Sequence, residues 1–355
     1  MVSMLMNEYI TLGRSGLRVS PICLGTMTFG NDRWGSEDKE SKAIFERYLE
    51  VGGNFLDTAD GYAVGKSEEL LGRFVSGSKL RDQLVIATKF TFNAEEGNPN
   101  TGGNGRKNIY RALEGSLKRL GMDYVDLYWL HAWDRVTPVE EVVETLSDLV
   151  RAGKIRYYAF SDVPAWYVAR AATLAECHSL PKPIALQLEY SLVERTIERE
   201  HVPAARELGL GVCPWSPLAS GFLAGKYKRD RSTEDGKGRL EILKNANNPV
   251  FDKFTERNWK ILSVLESVAN ELGRSLAQVA LNWAATQPGI TSTLIGATRK
   301  SQLEDNLASL EFTIPAELRR RLDEVSALEP AHPYMFFDDV LQGRISGGVT
   351  VHKWQ

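Results

Sequence analysis

The chain has 355 residues, 43% of them hydrophobic and 25% charged, with 14 Pro and 30 Gly, a composition outside the fibrous, disordered and disulfide-stapled classes. With 43 basic against 46 acidic residues its net charge is −3, so it has no basic footprint for nucleic acid or an anionic membrane. Its N-terminal residues lack the basic start and cleavage site of a signal peptide, and no apolar run approaches a membrane span.

The elements follow in chain order. Residues 9–19 read as a hairpin turning at Gly13 to Gly16, and residues 19–24 as the first strand. A helix over 38–50 leads to a strand over 54–57, a helix over 67–74 and a strand over 84–88. Residues 107–120 carry Ile109, Leu113, Leu117 and Leu120 on one stripe and stop at Gly121, the usual left-handed terminator. A strand over 124–130 precedes a helix opened by Thr137 as cap, with Pro138 in the first turn and Glu140 beyond it, closing near Gly153. Strands over 157–161, 184–187, 211–214 and 293–295 alternate with helices over 165–176, 196–208, 255–272 and 301–310, and an extra helix covers 275–285.

Several strands, such as Leu84-Val-Ile-Ala-Thr88, are continuous in apolar residues, which suits parallel strands buried on both faces. Eight strands alternating with helices predict an α/β fold, a (β/α)8 TIM barrel with an N-terminal β-hairpin and extra loops and helices. We expect one domain over 1–355, with a core over about 9–328 and a tail over 329–355. A barrel core takes about 250 residues. The surplus falls in the hairpin, the loops 91–105 and 215–251, the extra helix and the tail, whose aromatic residues Tyr334, Phe336, Phe337 and Trp354 suit a fold over the barrel mouth or assembly into a homo-oligomer, while its stretch Ile345-Ser-Gly-Gly-Val349 equally suits a loose end. A doubly wound sheet is the competing architecture. Against it, Gly25-Thr-Met-Thr-Phe-Gly30 is not the GxGxxG of dinucleotide folds, and no phosphate loop of the GxxxxGK[ST] type occurs.

Cys23, Cys177 and Cys213 are too scattered for a disulfide framework or a CxxC pair, which places the chain in a reducing compartment, the cytoplasm. Cys23 and Cys213 lie in apolar runs and read as core thiols. The histidines have no metal-ligand spacing, so no metal is expected and a metal-dependent hydrolase fails on its ligand inventory.

Polar residues close three successive apolar runs: Asp57, Lys89 and His131. In a barrel these runs are neighbouring strands, so the three side chains meet on one rim, and Tyr62, five residues after Asp57, can return over the same spot. Tyrosine and lysine are both protonated at neutral pH. The phenol can donate a proton if an adjacent ammonium stabilises its phenolate, with Asp57 holding Lys89 charged and His131 aiming a substrate oxygen. The group suits protonation of a carbonyl oxygen as hydride reaches carbon.

These motifs resemble those of the aldo-keto reductases. Gly53-Asn-Phe-Leu-Asp57-Thr-Ala-Asp-Gly-Tyr62 is similar to the family signature around its catalytic Asp and Tyr, Ala87-Thr-Lys89 to its lysine strand, and Leu117-Lys-Arg-Leu-Gly121 through His131 to its histidine strand. The resemblance runs from about Leu12 to Leu328. It implies NADPH-dependent reduction of aldehydes or ketones, with Asp57, Tyr62, Lys89 and His131 as the catalytic tetrad and Tyr62 as the acid. It also implies the cofactor contacts: Thr26 and Met27 beside the nicotinamide ribose, together with Asp57; Ser161, Asp162 and Gln187 at the carboxamide; and Trp215 stacked on the ring. Ser216, Pro217, Leu218, Ser220, Gly221 and Lys226 would cover the pyrophosphate. Gly296, Thr298, Arg299, Gln302, Asp305 and Asn306 would hold the adenosine end.

Asp162 stands where the family most often has Asn, and an ionised carboxylate cannot donate to a carboxamide oxygen. Ser161 and Gln187 are then expected to do more of the holding, or Asp162 to turn away. Trp34, Phe92 and Trp133 follow three strands and are expected to line an apolar substrate pocket. The local patterns look closest to aryl-alcohol dehydrogenases and potassium-channel β-subunits, pointing to aromatic aldehydes or cyclic ketones. The alternative is a cofactor-sensing binding subunit with vestigial chemistry; the short stretch before the hairpin speaks against it.

Overall fold

A computed structural model of the chain describes residues 5–77, 79–230, 238–242 and 249–352. The runs expected to be covered on both faces are so: Val85–Phe90 (β3) is buried at every position and Val125–Leu130 (β4) at all but Asp126. They lie in one eight-stranded sheet with Ile22–Gly25 (β1), Phe55–Asp57 (β2), Ile155–Ser161 (β5), Ala185–Glu189 (β6), Gly211–Trp215 (β7) and Thr293–Ile295 (β8). All neighbours pair in parallel and in chain order, β8 returns to pair with β1, and a parallel bridge from Val212 to Ile290 brings β7 alongside β8. The sheet is therefore a nearly closed (β/α)8 barrel, as expected.

Strand alternation sorts the side chains into two layers. Cys23, Phe55, Val85, Ala87, Leu127, Trp129, Ala159, Ala185 and Cys213 cluster inside the barrel. Their chain neighbours Leu24, Leu56, Ile86, Tyr128, Phe160, Leu186 and Val212 pack outward under the helices. Both interior cysteines are fully buried and burial pushes their thiols up, which makes them inert core residues. The hairpin, Ile10–Thr11 paired with Arg18–Val19, adds Leu12 and Val19 to the same interior cluster. Its Gly13 has φ 61°, and a Cβ there would stand 2.5 Å from the Ile184 carbonyl oxygen, so only glycine allows this approach.

The helices among the described residues are Asp38–Glu50 (α1), Lys66–Val75 (α2), Arg106–Leu120 (α3), Val139–Arg151 (α4), Ala165–Cys177 (α5), His201–Leu208 (α6), Arg239–Ile242 (α7), Glu256–Leu272 (α8), Leu276–Ala285 (α9), Lys300–Leu307 (α10), Ala316–Val325 (α11) and Asp339–Ile345 (α12). Thr255 caps α8, and Ser275 with Gln278 forms a capping box on α9.

Four expectations are corrected. The strand over 19–24 divides at Ser20, whose N–H is taken by Asn54 Oδ1 at 2.8 Å, so Val19 stays in the hairpin and β1 starts at Ile22. Thr137 does not cap α4, because Asp134 accepts both its hydroxyl (2.5 Å) and its N–H (3.0 Å), leaving Pro138 at the cap position. The helix over 196–208 becomes a 3₁₀ turn, Thr196–Glu198, and α6. Pro203 has no N–H to close a bond to residue 199, so it is tolerated only in the first turn of a helix beginning near His201. The tail stays away from the barrel mouth: Tyr334 donates to Glu200 at 2.6 Å and Arg199 to the Glu329 carbonyl at 2.7 Å, and none of the described tail residues lines the mouth cleft. Trp354 lies outside the described residues.

Candidate active site

In six of the eight strands the inward phase, continued toward the C-terminal rim, ends on a polar or aromatic residue. Two residues after inward Phe55, Ala87, Trp129, Ala159, Ala185 and Cys213 come Asp57, Lys89, His131, Ser161, Gln187 and Trp215. Asp57 pairs in register with Ala87, Lys89 with Trp129, and Ser161 with Gln187, so these side chains share the mouth of the barrel.

Lys89 is fully buried and Asp57 nearly so. The Lys89 ammonium donates to Asp57 Oδ1, to the Thr58 carbonyl at 2.8 Å and to the Tyr62 hydroxyl at 3.2 Å. Burial opposes its charge, but Asp57 and Tyr62 outweigh burial and hold Lys89 above its usual value. Asp57 Oδ2 accepts from Gln187 Nε2 at 3.0 Å. For Tyr62, burial raises the phenol and Lys89 draws it down, and the net shift is upward. The phenol is thus firmly protonated, with a cation already beside the oxygen that would carry the charge after proton loss. His131 packs edge-on to Tyr62, ring centres 5.8 Å apart, and edge-on to Phe92 at 4.8 Å. Burial, then Lys89, push it well below the ordinary histidine value, so it is a neutral imidazole.

The mouth opens into a cleft of about 1790 Å³, above the usual 300–1,000 Å³ of a single-ligand pocket. It runs from Tyr62, His131, Phe92 and Trp34 past Ser161, Asp162, Gln187 and Trp215. It continues along Ser216, Pro217, Leu218, Ser220, Gly221 and Lys226 to Gly296, Thr298, Arg299, Gln302 and Asn306, and includes Met27. Ser216, Ala219, Ser220 and Gly221 all have positive φ, the backbone form in which successive N–H groups can line an anion-binding concavity. Arg299 is exposed at the start of α10 and has no ion pair among the described residues. The first amide of α10, Lys300 N–H, is taken by Glu40 at 2.6 Å.

Besides the fully buried Lys89, three residues singled out from the sequence lie off the cleft. Thr26 is fully buried, its hydroxyl bonded to Ser67 Oγ at 2.8 Å. Asp305 spends its carboxylate on Ser275 (3.0 Å) and Gln278 (2.7 Å), steadying α9. Trp133 packs against Trp166 at 5.4 Å and Tyr167 at 6.3 Å instead of facing the mouth. Asp162 stays in the cleft lining, with φ 46° and its carboxylate accepting from Trp215 Nε1 at 3.1 Å.

Sequence reading missed two groups. Arg239 reaches over the cleft from α7, its guanidinium 4.9 Å from the Trp34 ring centre and 3.9 Å from Met27 Sδ. Nothing in a loop rich in Gly and charge marks it. Glu189, which lines the cleft, pairs with Lys253 at 2.8 Å, tying the end of the loop to β6. Its place two residues after Gln187, in the same inward phase, was a readable signal. Among the described residues, no group of three or more His, Cys, Asp or Glu side chains could hold a metal ion, and no helix is long and apolar enough to cross a membrane.

Residues 21–327 match the model of the aldo/keto reductase family. Over 92% of this chain and 98% of its own length, a probable voltage-gated potassium channel subunit beta of Oryza sativa is 38% identical. The uncharacterized oxidoreductase YrpG of Bacillus subtilis is 37% identical over 90% of this chain and 95% of its own. An aryl-alcohol dehydrogenase [NADP(+)] of Phanerodontia chrysosporium is 30% identical over 91% and 87%. The chain therefore belongs to the aldo/keto reductase family.

Proposed function

With an aldo/keto reductase as premise, we propose that this chain is an NADPH-dependent oxidoreductase that reversibly reduces aldehydes or ketones, with Tyr62 as proton donor. The observation that carries the reading is the single Lys89 ammonium held between Asp57 Oδ1 and, at 3.2 Å, the Tyr62 hydroxyl, at the mouth of a cleft whose volume exceeds that of a single-ligand pocket. When bound, the nicotinamide supplies a hydride.

Each remaining task falls to a residue of the chain. Tyr62 gives its proton to the carbonyl oxygen, and Lys89 stabilises the phenolate left behind. Asp57 keeps the buried Lys89 charged. His131, neutral, can donate or accept one hydrogen bond and so orient the substrate oxygen toward Tyr62. On the donor set present, Trp215 offers a face for the nicotinamide, Ser161 and Gln187 its amide partners, the left-handed stretch at Ser216 to Gly221 with Lys226 a cradle for the pyrophosphate, and Arg299 a cation for the 2′-phosphate. Asp57 occupies one Gln187 amide hydrogen, which leaves the amide oxygen for the carboxamide N–H. The aromatic walls, Trp34 and Phe92, favour aromatic aldehydes or cyclic ketones. Two of three cysteines are buried and none is paired, which supports a reducing, cytoplasmic setting.

The test is an initial-rate screen of NADPH and NADH against aromatic aldehydes, dicarbonyls and cyclic ketones, repeated with Tyr62→Phe. Turnover is expected to fall by about 10²–10⁴ while cofactor still quenches tryptophan emission. Undiminished turnover would remove Tyr62 from the acid role. Binding of cofactor with negligible turnover on every carbonyl would favour a cofactor-sensing subunit.

A further inference from the structure

Tyr62 opens a one-turn segment, Tyr62–Gly65, in which Ala63, Val64 and Gly65 all have left-handed backbone, with φ 48°, 56° and 89°. For Ala63 and Val64, which carry a Cβ, this backbone form is sterically disfavoured. Val64 is 97% exposed and has no packing to offset it. Local bonds close the turn, Val64 N–H to the Gly61 carbonyl at 3.3 Å and Lys66 N–H to the Tyr62 and Ala63 carbonyls, and contacts on both sides anchor it to the barrel. Upstream, the N–H groups of Thr58 and Asp60 donate to the carbonyls of Ala87 (2.9 Å) and Lys89 (3.2 Å), seating the chain on β3.

Downstream, Glu68 in the first turn of α2 is fully buried. Its carboxylate accepts from Thr88 Oγ1 at 2.5 Å and from Arg119 Nε at 2.6 Å. Thr88 immediately precedes Lys89 and faces outward where Lys89 faces in. Glu68 thus ties the element after the Tyr62 turn to the strand that carries Lys89. Arg119, from α3, neutralises Glu68 and lies across the turn itself, for a Cβ at Gly65 would meet Arg119 Cδ at 2.6 Å. Arg111 and Asp60 complete the surroundings; burial and then the Glu68 charge push the Asp60 carboxyl up to about 7. Neither Glu68 nor Arg119 lines the cleft.

We propose that Glu68 and Arg119 are positioning residues that clasp the left-handed turn and hold the Tyr62 hydroxyl against the Lys89 ammonium. The proposal rests on Tyr62 being the proton donor, and its first readout does not need activity. The chain is labelled with 3-fluorotyrosine, and the Tyr62 ¹⁹F resonance is assigned by its loss in Tyr62→Phe. In Glu68→Gln and Arg119→Met that resonance is expected to shift and broaden while the other tyrosines stay put. In the same variants kcat is expected to fall 10- to 100-fold with cofactor dissociation constant changed less than twofold, and Arg119→Lys to restore at least half of the lost rate. Arg119 is partly exposed, so its variants keep the test alive if Glu68→Gln fails to fold. An unmoved Tyr62 resonance, or a moved one with kcat intact, overturns the clasp. Full turnover by Tyr62→Phe would instead overturn the acid role on which it rests, leaving the resonance result as a separate fact.

Discussion

The indole Nε1 of Trp215, on β7, donates to the carboxylate of Asp162, just beyond β5, at 3.1 Å. This bond links the indole ring, which we propose as the face for the nicotinamide, to a titratable group. Burial in the cleft pushes the Asp162 carboxyl up to about 6, against hydrogen bonds from Trp215 and Ser161. The folded chain therefore binds this proton more tightly than the unfolded one, and the group's contribution to stability declines as pH rises from about 4 to 6. Trp215 emission, taken as the difference from Trp215→Phe, is expected to titrate near pH 6, and Asp162→Asn to flatten the curve. A titration that survives Asp162→Asn would show that another group moves the indole.

Asp57 and Lys89 form an ion pair with both side chains withdrawn from water. Removing one partner leaves the other charge buried and unpaired, at a cost of about 3–5 kcal/mol. Urea unfolding should show losses of this size for Lys89→Met and Asp57→Asn separately. The double variant should lose less than the sum, because it strands no charge. Additive losses would mean that the pair is not coupled.

His131 is held well below its ordinary value by burial and then by Lys89. The unfolded chain takes up a proton below about pH 6.5 that the folded chain refuses, so stability falls with falling pH by about 1.4 kcal/mol per unit below that point. His131→Asn is expected to lose less stability between pH 7 and 5 than the parent. Equal losses would show that His131 titrates normally.

Arg299 is exposed at the head of α10 and has no ion pair among the described residues. A charge-assisted hydrogen bond contributes about 1.5–3 kcal/mol. Arg299→Ala is thus expected to weaken NADPH about 10- to 100-fold and leave NADH within twofold, measured by emission quenching. NADPH preference that survives the substitution would place the 2′-phosphate elsewhere on the cleft.

The period-two phase of the strands made Asp57, Lys89 and His131 legible, since each lies two residues beyond an inward apolar side chain. Tyr62 was legible only as a return over the same spot, because its place depends on a left-handed turn that Ala63 and Val64 do not announce. Thr26, Asp305 and Trp133 show the opposite limit. Met27, Asn306 and His131, one or two residues away, line the cleft, but these side chains are drawn off to Ser67, to Ser275 and Gln278, and to Trp166.

By itself the sequence determined the barrel and the rim residues of its strands, because strand phase and helix punctuation are local and fix which way each side chain faces. Only the tertiary structure decided what those side chains meet. Asp57 with Gln187, Glu68 with Arg119, Asp162 with Trp215 and Glu189 with Lys253 are separated by 51 to 130 residues. The Asp57–Gln187 pair exists only once the sheet has curled nearly shut, which brings distant strand ends within hydrogen-bonding reach, whereas Glu68 and Arg119 meet through the packing of α2 on α3.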